Sequence, residues 1–371
     1  MVYNKGGIIM ESNVLDVLKH YKDFDKLKSF GEYGNGHIND TYLIEYEGNN
    51  KIILQKVNKN IFKEPKKLME NISLVTSYLR EKIIEKGGNP DRETLNLINT
   101  EEGNYFYEDS NSDIWRMYEF IDNAICYEQV TNKNEFYESG YAFGNFQNLL
   151  EEFPVNKLSE VIKNFHNTED RFKTFKAILD EDLLGRAKSV QDEIDFFIKR
   201  EEYTHIFNEA LKNNEISLKV THNDTKLNNI LFDNATKKAL CVIDLDTIMP
   251  GFAAFDFGDA IRFGANKGLE DEVDLSKVGL DIELFEAFTK GFLEACGKSL
   301  SKREIELLPM AAMVMTYECG MRFLGDYIAG DKYFKITREK HNLDRARTQI
   351  KLVSDMEANI EEMKKIVAKY V

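Results

Sequence analysis

The stretch THNDTKLNNILFDNATKKALCVIDLDTIMPG, residues 221–251, sets four Asp and one His between short apolar runs. LKVTHND, NNILFD and ALCVIDLD read as short strands bounded by polar turns. Within the stretch His222, Asp224 and Asn229 fit the spacing HxDxxxxN, and Asp244 follows in the apolar VIDLD run. Phosphoryl transfer from a nucleotide asks little covalent chemistry of a protein. It needs a carboxylate to orient the acceptor hydroxyl and take its proton, and oxygen ligands for a metal ion. Magnesium takes hard oxygen donors and keeps several waters, so one Asn amide oxygen and one Asp carboxylate suffice from the chain. On this reading Asp224 is the base, and Asn229 and Asp244 hold Mg2+. The competing reading makes all of them Asx-turn and capping residues at strand ends. With VIDLD extended, Asp246 shares a strand face with Asp244, as a contact to the metal or its water or as a structural hydrogen bond. Asp233 and Asn234 make the turn between strands.

Downstream the pattern is helical. NEFYESGYAFGNFQNLLEEF, FKTFKAILDEDLL, QDEIDFFIKREEYTHIFNEALK and most of the chain after Asp281 repeat apolar residues at helical spacing. Upstream it is strand-like. YGNGHINDTYLIEY, the EGNN turn and KIILQKV suggest an antiparallel hairpin led by a glycine loop. A helix is expected from Pro65 to Lys86, with Leu68, Ile72, Val75, Leu79 and Ile83 on one face and GGNP as its end. TLNLINT, YFYED and DIWRMYEFI read as further strands. The expected fold class is therefore α+β: a small antiparallel β-rich N-terminal lobe, residues 1–121, and a larger mainly helical C-terminal lobe, residues 122–371, meeting at IDNAICY.

Bulk properties bound the function. A chain of 371 residues has room for two cores, and 43% hydrophobic with 30% charged residues describes an ordinary globular protein. Five Pro and no Gly/Ser-rich tract imply a short structured hinge. A net charge of -15 excludes a broad nucleic-acid or anionic-membrane surface but leaves room for a local basic pocket. No apolar run reaches membrane-spanning length, and MVYNKGGIIMESN lacks the features of a signal peptide, so a cytoplasmic location is expected. Cys126, Cys241, Cys296 and Cys319 lack metal-site spacing and read as buried thiols. GKS at Gly297 to Ser299 has Phe292 where a Walker loop needs Gly, and an apolar helix precedes it, so it reads as a helix end. In YGNGHIND two glycines either free backbone amides to face phosphate oxygens or shape a hairpin.

HNDTKLNNILFD followed by CVIDLD resembles the aminoglycoside phosphotransferase and choline kinase superfamily, itself similar in fold to protein kinases. The runs GNGHINDTYLI, ILQKVN, WRMYEFIDN, VIDLDTIMPGFAAFDFGDAIRFGAN and YECGMRFLGDYIAGDKYFK most resemble N-acetylhexosamine 1-kinases, over about Phe30 to Phe334. The resemblance implies a bilobal protein-kinase-like fold with ATP as co-substrate in a cleft between the lobes. It places Gly34, Asn35, Gly36 and Asn39 over the phosphates, and the Glu119 carbonyl and Ile121 amide on adenine, in a hinge at 117–121. One departure stands out: alternation along IILQKV puts Gln55 where such folds carry a phosphate-binding Lys, with Lys56 facing away unless a bulge swaps them. The usual Lys–Glu pair is then absent, and Glu64 and Glu70 have no role.

For the acceptor, the resemblance implies contacts from His37, Asp224, Phe263, Arg322 and Tyr333. Outside such a pocket Arg322 is expected to pair with Asp326 or Glu318. Asp256 and Asp259 read as loop-anchoring and helix-capping carboxylates, His222 as a brace for the loop, and His20, His166, His205 and His341 as surface or core residues. The resemblance therefore implies an ATP- and Mg2+-dependent kinase phosphorylating the C1 hydroxyl of an N-acetylhexosamine, a small-molecule acceptor with no nucleic-acid or membrane partner. Two alternatives stay open: a kinase of the same superfamily acting on an amino alcohol, homoserine-like compound, thiosugar or aminoglycoside, and a nucleotide-binding regulator without turnover.

Overall fold

The computed structural model describes residues 13–34 and 38–371. Two compact units emerge from its contacts: Met1–Ala124 with Asn156–Ile162, and Ile125–Val155 with Lys163–Val371. The return of Asn156–Ile162 to the first unit means that the second is not one continuous segment from residue 122. The Asn71 amide explains the return, since it donates to Ser159 O at 2.7 Å and accepts from Ser159 N at 2.9 Å.

In the first unit, β1 (Leu27–Glu32), β2 (Asp40–Tyr46), β3 (Lys51–Lys56), β4 (Tyr107–Glu108) and β5 (Ile114–Glu119) form an antiparallel sheet in the order β1-β2-β3-β5-β4. Alternation makes its two faces unlike. Tyr42, Ile44, Tyr46, Leu54, Trp115 and Met117 point to one face and pack with Val14, Val17, Leu18 and Tyr21. On the other face the register lines up Thr41, Gln55 and Arg116 across three strands. Helix α1 (Pro65–Glu85) begins with Pro at its first turn and buries Leu68, Ile72, Val75, Leu79 and Ile83, as the spacing predicts. TLNLINT does not form the expected strand. Only Leu97 bridges to Tyr118, with Asn96 O and Ile98 N bonded to β5 on either side, and the Asn96 side chain turns back on Pro90 O and Thr94 O.

The second unit is mainly helical. Helix α2 (Lys133–Leu149), capped by the Asn132 side chain, crosses α5 (Ile282–Cys296) backbone to backbone. A Cβ at Gly140 would stand 2.3 Å from Phe288 O, and one at Gly291 2.1 Å from Tyr137 O, so glycine is required at both. Helix α6 (Leu308–Ala329) is buried along nearly its whole length, and α3 (Thr168–Glu181), α4 (Ala253–Gly264) and α7 (His341–Ala358) pack on it. GKS forms a 3-10 turn at the end of α5, as expected, and Ser299 Oγ is bound to Asn148 and Glu151. Of the four cysteines only Cys241 and Cys296 are buried. Cys126 is exposed at the end of strand β6 (Ala124–Cys126), where its thiol lies 3.1 Å from Asn228 O. Among the described residues no helix is long and apolar enough to cross a membrane.

Candidate active site

The opening stretch folds into β7 (Lys219–Thr221), β8 (Ile230–Asp233), β9 (Ala239–Val242) and β10 (Met249–Gly251), with β7 paired to β10 and β8 to β9. The loop 222–229 between β7 and β8 carries the candidate base, and its path is held from elsewhere. On α4, Asp256 accepts the backbone N–H of His222 (2.9 Å) and Asn223 (2.8 Å), and its neighbour Asp259 accepts that of Thr225 (3.1 Å). Gln147 of α2 also donates to Asp256, at 2.8 Å. Burial raises the Asp256 carboxyl above the usual carboxylate range, and these donors and His222 only partly offset it. The anchoring role of Asp256 and Asp259 is as expected. Their capping role is not, because both lie inside α4, and Phe252, which precedes it, makes no side-chain cap.

His222 is fully buried with both ring nitrogens committed. Nε2–H donates to Ile243 O at 2.8 Å, and Nδ1 accepts the Asp224 N–H at 3.3 Å. A carbonyl on one side and an N–H on the other hold the ring in place, so it braces the loop and leaves neither nitrogen free for proton transfer.

Asp224 keeps about a quarter of its side-chain surface, 27%, and Lys226 pairs with it at 2.9 Å. Burial pushes the Asp224 carboxyl up, but Lys226, His222 and the Asn229 amide together outweigh it and hold the group below the usual range. Asp224 is thus an anion at neutral pH, suited to accept a hydroxyl's hydrogen bond. The reading from sequence missed Lys226; a cation two residues past the Asp in a non-helical loop was the available signal. Asn229 donates Nδ2–H to Asp224 O (2.8 Å) and to its carboxylate (3.2 Å), which turns Oδ1 away as the oxygen left for a ligand.

Asp244 departs from the expected strand. β9 ends at Val242, Asp244 is left-handed at φ 59° and exposed, and Leu245–Thr247 is a 3-10 turn. Asp246 is buried and does not share a strand face with Asp244. The backbone still brings the metal candidates together, since Ile243 N donates to Asn229 O at 2.9 Å, one residue before Asp244. Among the described residues no three His, Cys, Asp or Glu side chains converge as a cage. One amide oxygen and one exposed carboxylate fit a hard ion that retains water and takes its remaining oxygens from a phosphate.

Other candidates belong to the first unit. Gly34 is left-handed (φ 79°), and the Asn39 side chain accepts Asn58 N–H at 3.0 Å. Gly34, Asn39 and Thr41 line a recess with Glu32, Tyr33, Asp40 and Tyr42. Asn35, Gly36 and His37 fall outside the described residues. The β3 register is continuous, so no bulge swaps Gln55 and Lys56. Lys56 is bound to Asp113 at 2.6 Å, whereas Gln55 Oε1 accepts from Arg116 Nε and Nη2 at 3.0 and 2.8 Å, and its Nε2–H donates to Thr41. The cation beside the Lys slot is therefore an arginine on the next strand, which the linear motif did not reveal. Glu64 pairs with Lys67 at 2.7 Å. Glu119 closes β5, with its N–H on Asn96 O, and Ile121 lies just past the ladder.

On α6, Arg322 faces the rings of Tyr333 and Phe334, its guanidinium carbon 5.7 and 5.4 Å from their centroids. It makes no hydrogen bond or ion pair among the described residues. Neither expected partner takes it: Asp326 accepts the N–H groups of Lys332, Tyr333 and Phe334, and Glu318 accepts from Thr168 and His166. Tyr333 is 69% exposed, and Phe263 of α4 is half-buried. His166, expected to be a bystander, joins two parts of this unit. Its ring bonds Glu318 at 2.8 Å on one side and the Asn223 carbonyl, next to Asp224, at 3.2 Å on the other.

Residues 30–279 match the phosphotransferase enzyme family. Among solved structures, an aminoglycoside phosphotransferase from Alicyclobacillus acidocaldarius aligns with a TM-score of 0.63 at 13% identity, over 95% of this chain and 96% of that one. A Plasmodium vivax ethanolamine kinase aligns at 0.58 with 15% identity, over 94% and 90%. An amicoumacin kinase in complex with AMP-PNP and Ca2+ aligns at 0.57 with 11% identity, over 94% and 93%. These likenesses show a shared kinase-like bilobal fold. Because the family match spans more than half the chain, this protein belongs to the phosphotransferase enzyme family.

Proposed function

We propose that the chain is an ATP-dependent anomeric kinase that phosphorylates the C1 hydroxyl of N-acetylhexosamines. The observation that carries the acceptor assignment is Arg322. It is a guanidinium facing two aromatic rings with no hydrogen-bonded carboxylate among the described residues, and it favours carbonyl and hydroxyl oxygens over a cationic amine. Asp224 accepts the hydrogen bond of the C1 hydroxyl, orients its oxygen toward the terminal phosphorus and takes the proton as the new P–O bond forms and the bond from that phosphorus to the bridging oxygen breaks, releasing ADP. Its depressed pKa makes orientation the larger part of that role, since transfer is loose and the proton leaves late. Lys226 neutralises the carboxylate at rest. Asn229 Oδ1 and Asp244 would hold Mg2+, which when bound offsets the charge of the phosphate oxygens. Gly34, Asn39, Gln55, Glu119 and Ile121 are proposed contacts for the nucleotide, and Phe263 and Tyr333 for the sugar.

The amino alcohol and aminoglycoside reading has the names of the structural neighbours in its favour and Arg322 against it. A panel of acceptors followed by phosphorus NMR separates the two. N-acetylglucosamine or N-acetylgalactosamine should yield an acid-labile anomeric phosphate, and turnover confined to amines would sink the proposal. Asp224→Ala should lose at least about a hundredfold in kcat while retaining nucleotide affinity.

A further inference from the structure

Helices α3 and α6 run alongside each other in the same direction. Thr168 Oγ1 donates to Glu318 at 2.7 Å at one end, and further along a Cβ at Gly325 would stand 3.4 Å from Ile178 and 3.5 Å from Phe175. Arg171 lies three residues past Thr168, and Arg322 four past Glu318. Helical spacing therefore sets the two arginines one turn past the same contact on adjoining helices. Arg171 commits Nε and Nη2 to the Phe165 carbonyl at 3.2 and 3.0 Å, leaving Nη1 without a hydrogen bond among the described residues. The buried Glu318 carboxylate is taken by His166 and Thr168. Burial, and after it the charge of Arg322, pulls the Arg171 guanidinium below the ordinary arginine range, though it remains charged at neutral pH. Two like charges held together in a chain of net charge -15 call for an oxygen-bearing ligand to share.

Resting on the N-acetylhexosamine reading, we infer that Arg171 is a specificity-determining residue which, with Arg322, makes the acceptor pocket select an N-acyl group and repel a protonated amine. The acyl oxygen accepts from a guanidinium, whereas the ammonium of an unacylated hexosamine meets two cations and offers no acceptor.

The test compares kcat/KM for N-acetylglucosamine and glucosamine in the wild type, Arg171→Gln and Arg171→Lys. In the wild type the N-acetyl sugar should be strongly preferred, and the preference should shrink as pH rises and the glucosamine amine loses its proton. Arg171→Gln should cut the preference by about tenfold or more, mainly by admitting glucosamine, and Arg171→Lys should restore it. A preference that is unchanged in a folded Arg171→Gln protein, or a wild-type preference that stays flat through the amine's titration, overturns the inference while leaving the N-acetylhexosamine reading intact. The pH arm needs no variant, so it decides even if Arg171→Gln fails to fold. Turnover of neither sugar overturns both.

Discussion

Replacing Gln55 by Lys restores, on paper, the residue that kinase-like folds place in β3. The structure predicts damage instead. Gln55 Oε1 accepts two N–H groups from Arg116, whose side chain is 1% exposed and lies over the Tyr118 ring at 5.3 Å. Removing that charge-assisted acceptor, as Gln55→Leu does, costs about 1.5–3 kcal/mol. A lysine ammonium about 4 Å from the guanidinium adds about 4 kcal/mol of repulsion at an effective dielectric near 20, less what the amine recovers by swinging aside or losing its proton. The net loss for Gln55→Lys is then about 3–5 kcal/mol, while Gln55→Glu, which turns the contact into an ion pair, stays within about 1 kcal/mol of wild type. Trp115, the chain's single tryptophan, neighbours Arg116 in β5 and is buried, so its fluorescence reports the unfolding of this unit. Urea midpoints should fall in the order wild type and Gln55→Glu, then Gln55→Leu, then Gln55→Lys. A Gln55→Lys protein as stable as wild type that binds nucleotide more tightly would refute the reasoning, because the slot would then be a vacant lysine site.

Two further predictions follow from the second unit. Asp256→Ala strips the acceptor from the N–H groups of His222 and Asn223, so kcat should fall by about a hundredfold or more with nucleotide affinity unchanged; equal losses in both would point to general unfolding. The His166–Glu318 pair makes stability pH-dependent on both sides. Burial lowers the His166 pKa, but Glu318, Asp259 and the Asn223 carbonyl together outweigh it, so its folded pKa lies above the unfolded value near 6.5. Its contribution is full below that pH and is lost as pH rises through the folded value. Burial raises the Glu318 carboxyl, but His166, Arg322 and Thr168 outweigh it, so its contribution holds above the unfolded value near 4.5 and is lost as pH falls through the folded one. Melting temperatures of His166→Gln should lack the wild type's alkaline decline; an identical decline removes the ion pair as its cause.

Legibility in the sequence tracked how local each interaction is. That Asp224 and Asn229 meet was readable because the two lie five positions apart in one loop. The hairpin and α1 were readable because periods of two and 3.6 repeat along one segment. TLNLINT was half legible: it bonds β5 through Asn96 O and Ile98 N, but the pairing stops at a single bridge. Asp246 was misplaced because nothing in VIDLD announces a left-handed Asp244. Arg116, Arg171 and His166 stayed hidden for another reason: each acquires its meaning from a partner 61 to 152 residues away or on a neighbouring helix, and only tertiary register discloses that.

The grip of Asp256 and Asp259 falls on backbone N–H groups at 222, 223 and 225 and leaves most of the loop's side chains out of it. The shape of the loop is thus encoded some thirty residues downstream, on a helix. Any residue but proline can supply those amides. Side-chain identity is still fixed at 223, where φ is 64° and the Asn amide donates to Thr221 O and Thr247 O, so the setting of Asp224 depends on amides gripped from a distant helix and on one left-handed asparagine beside it.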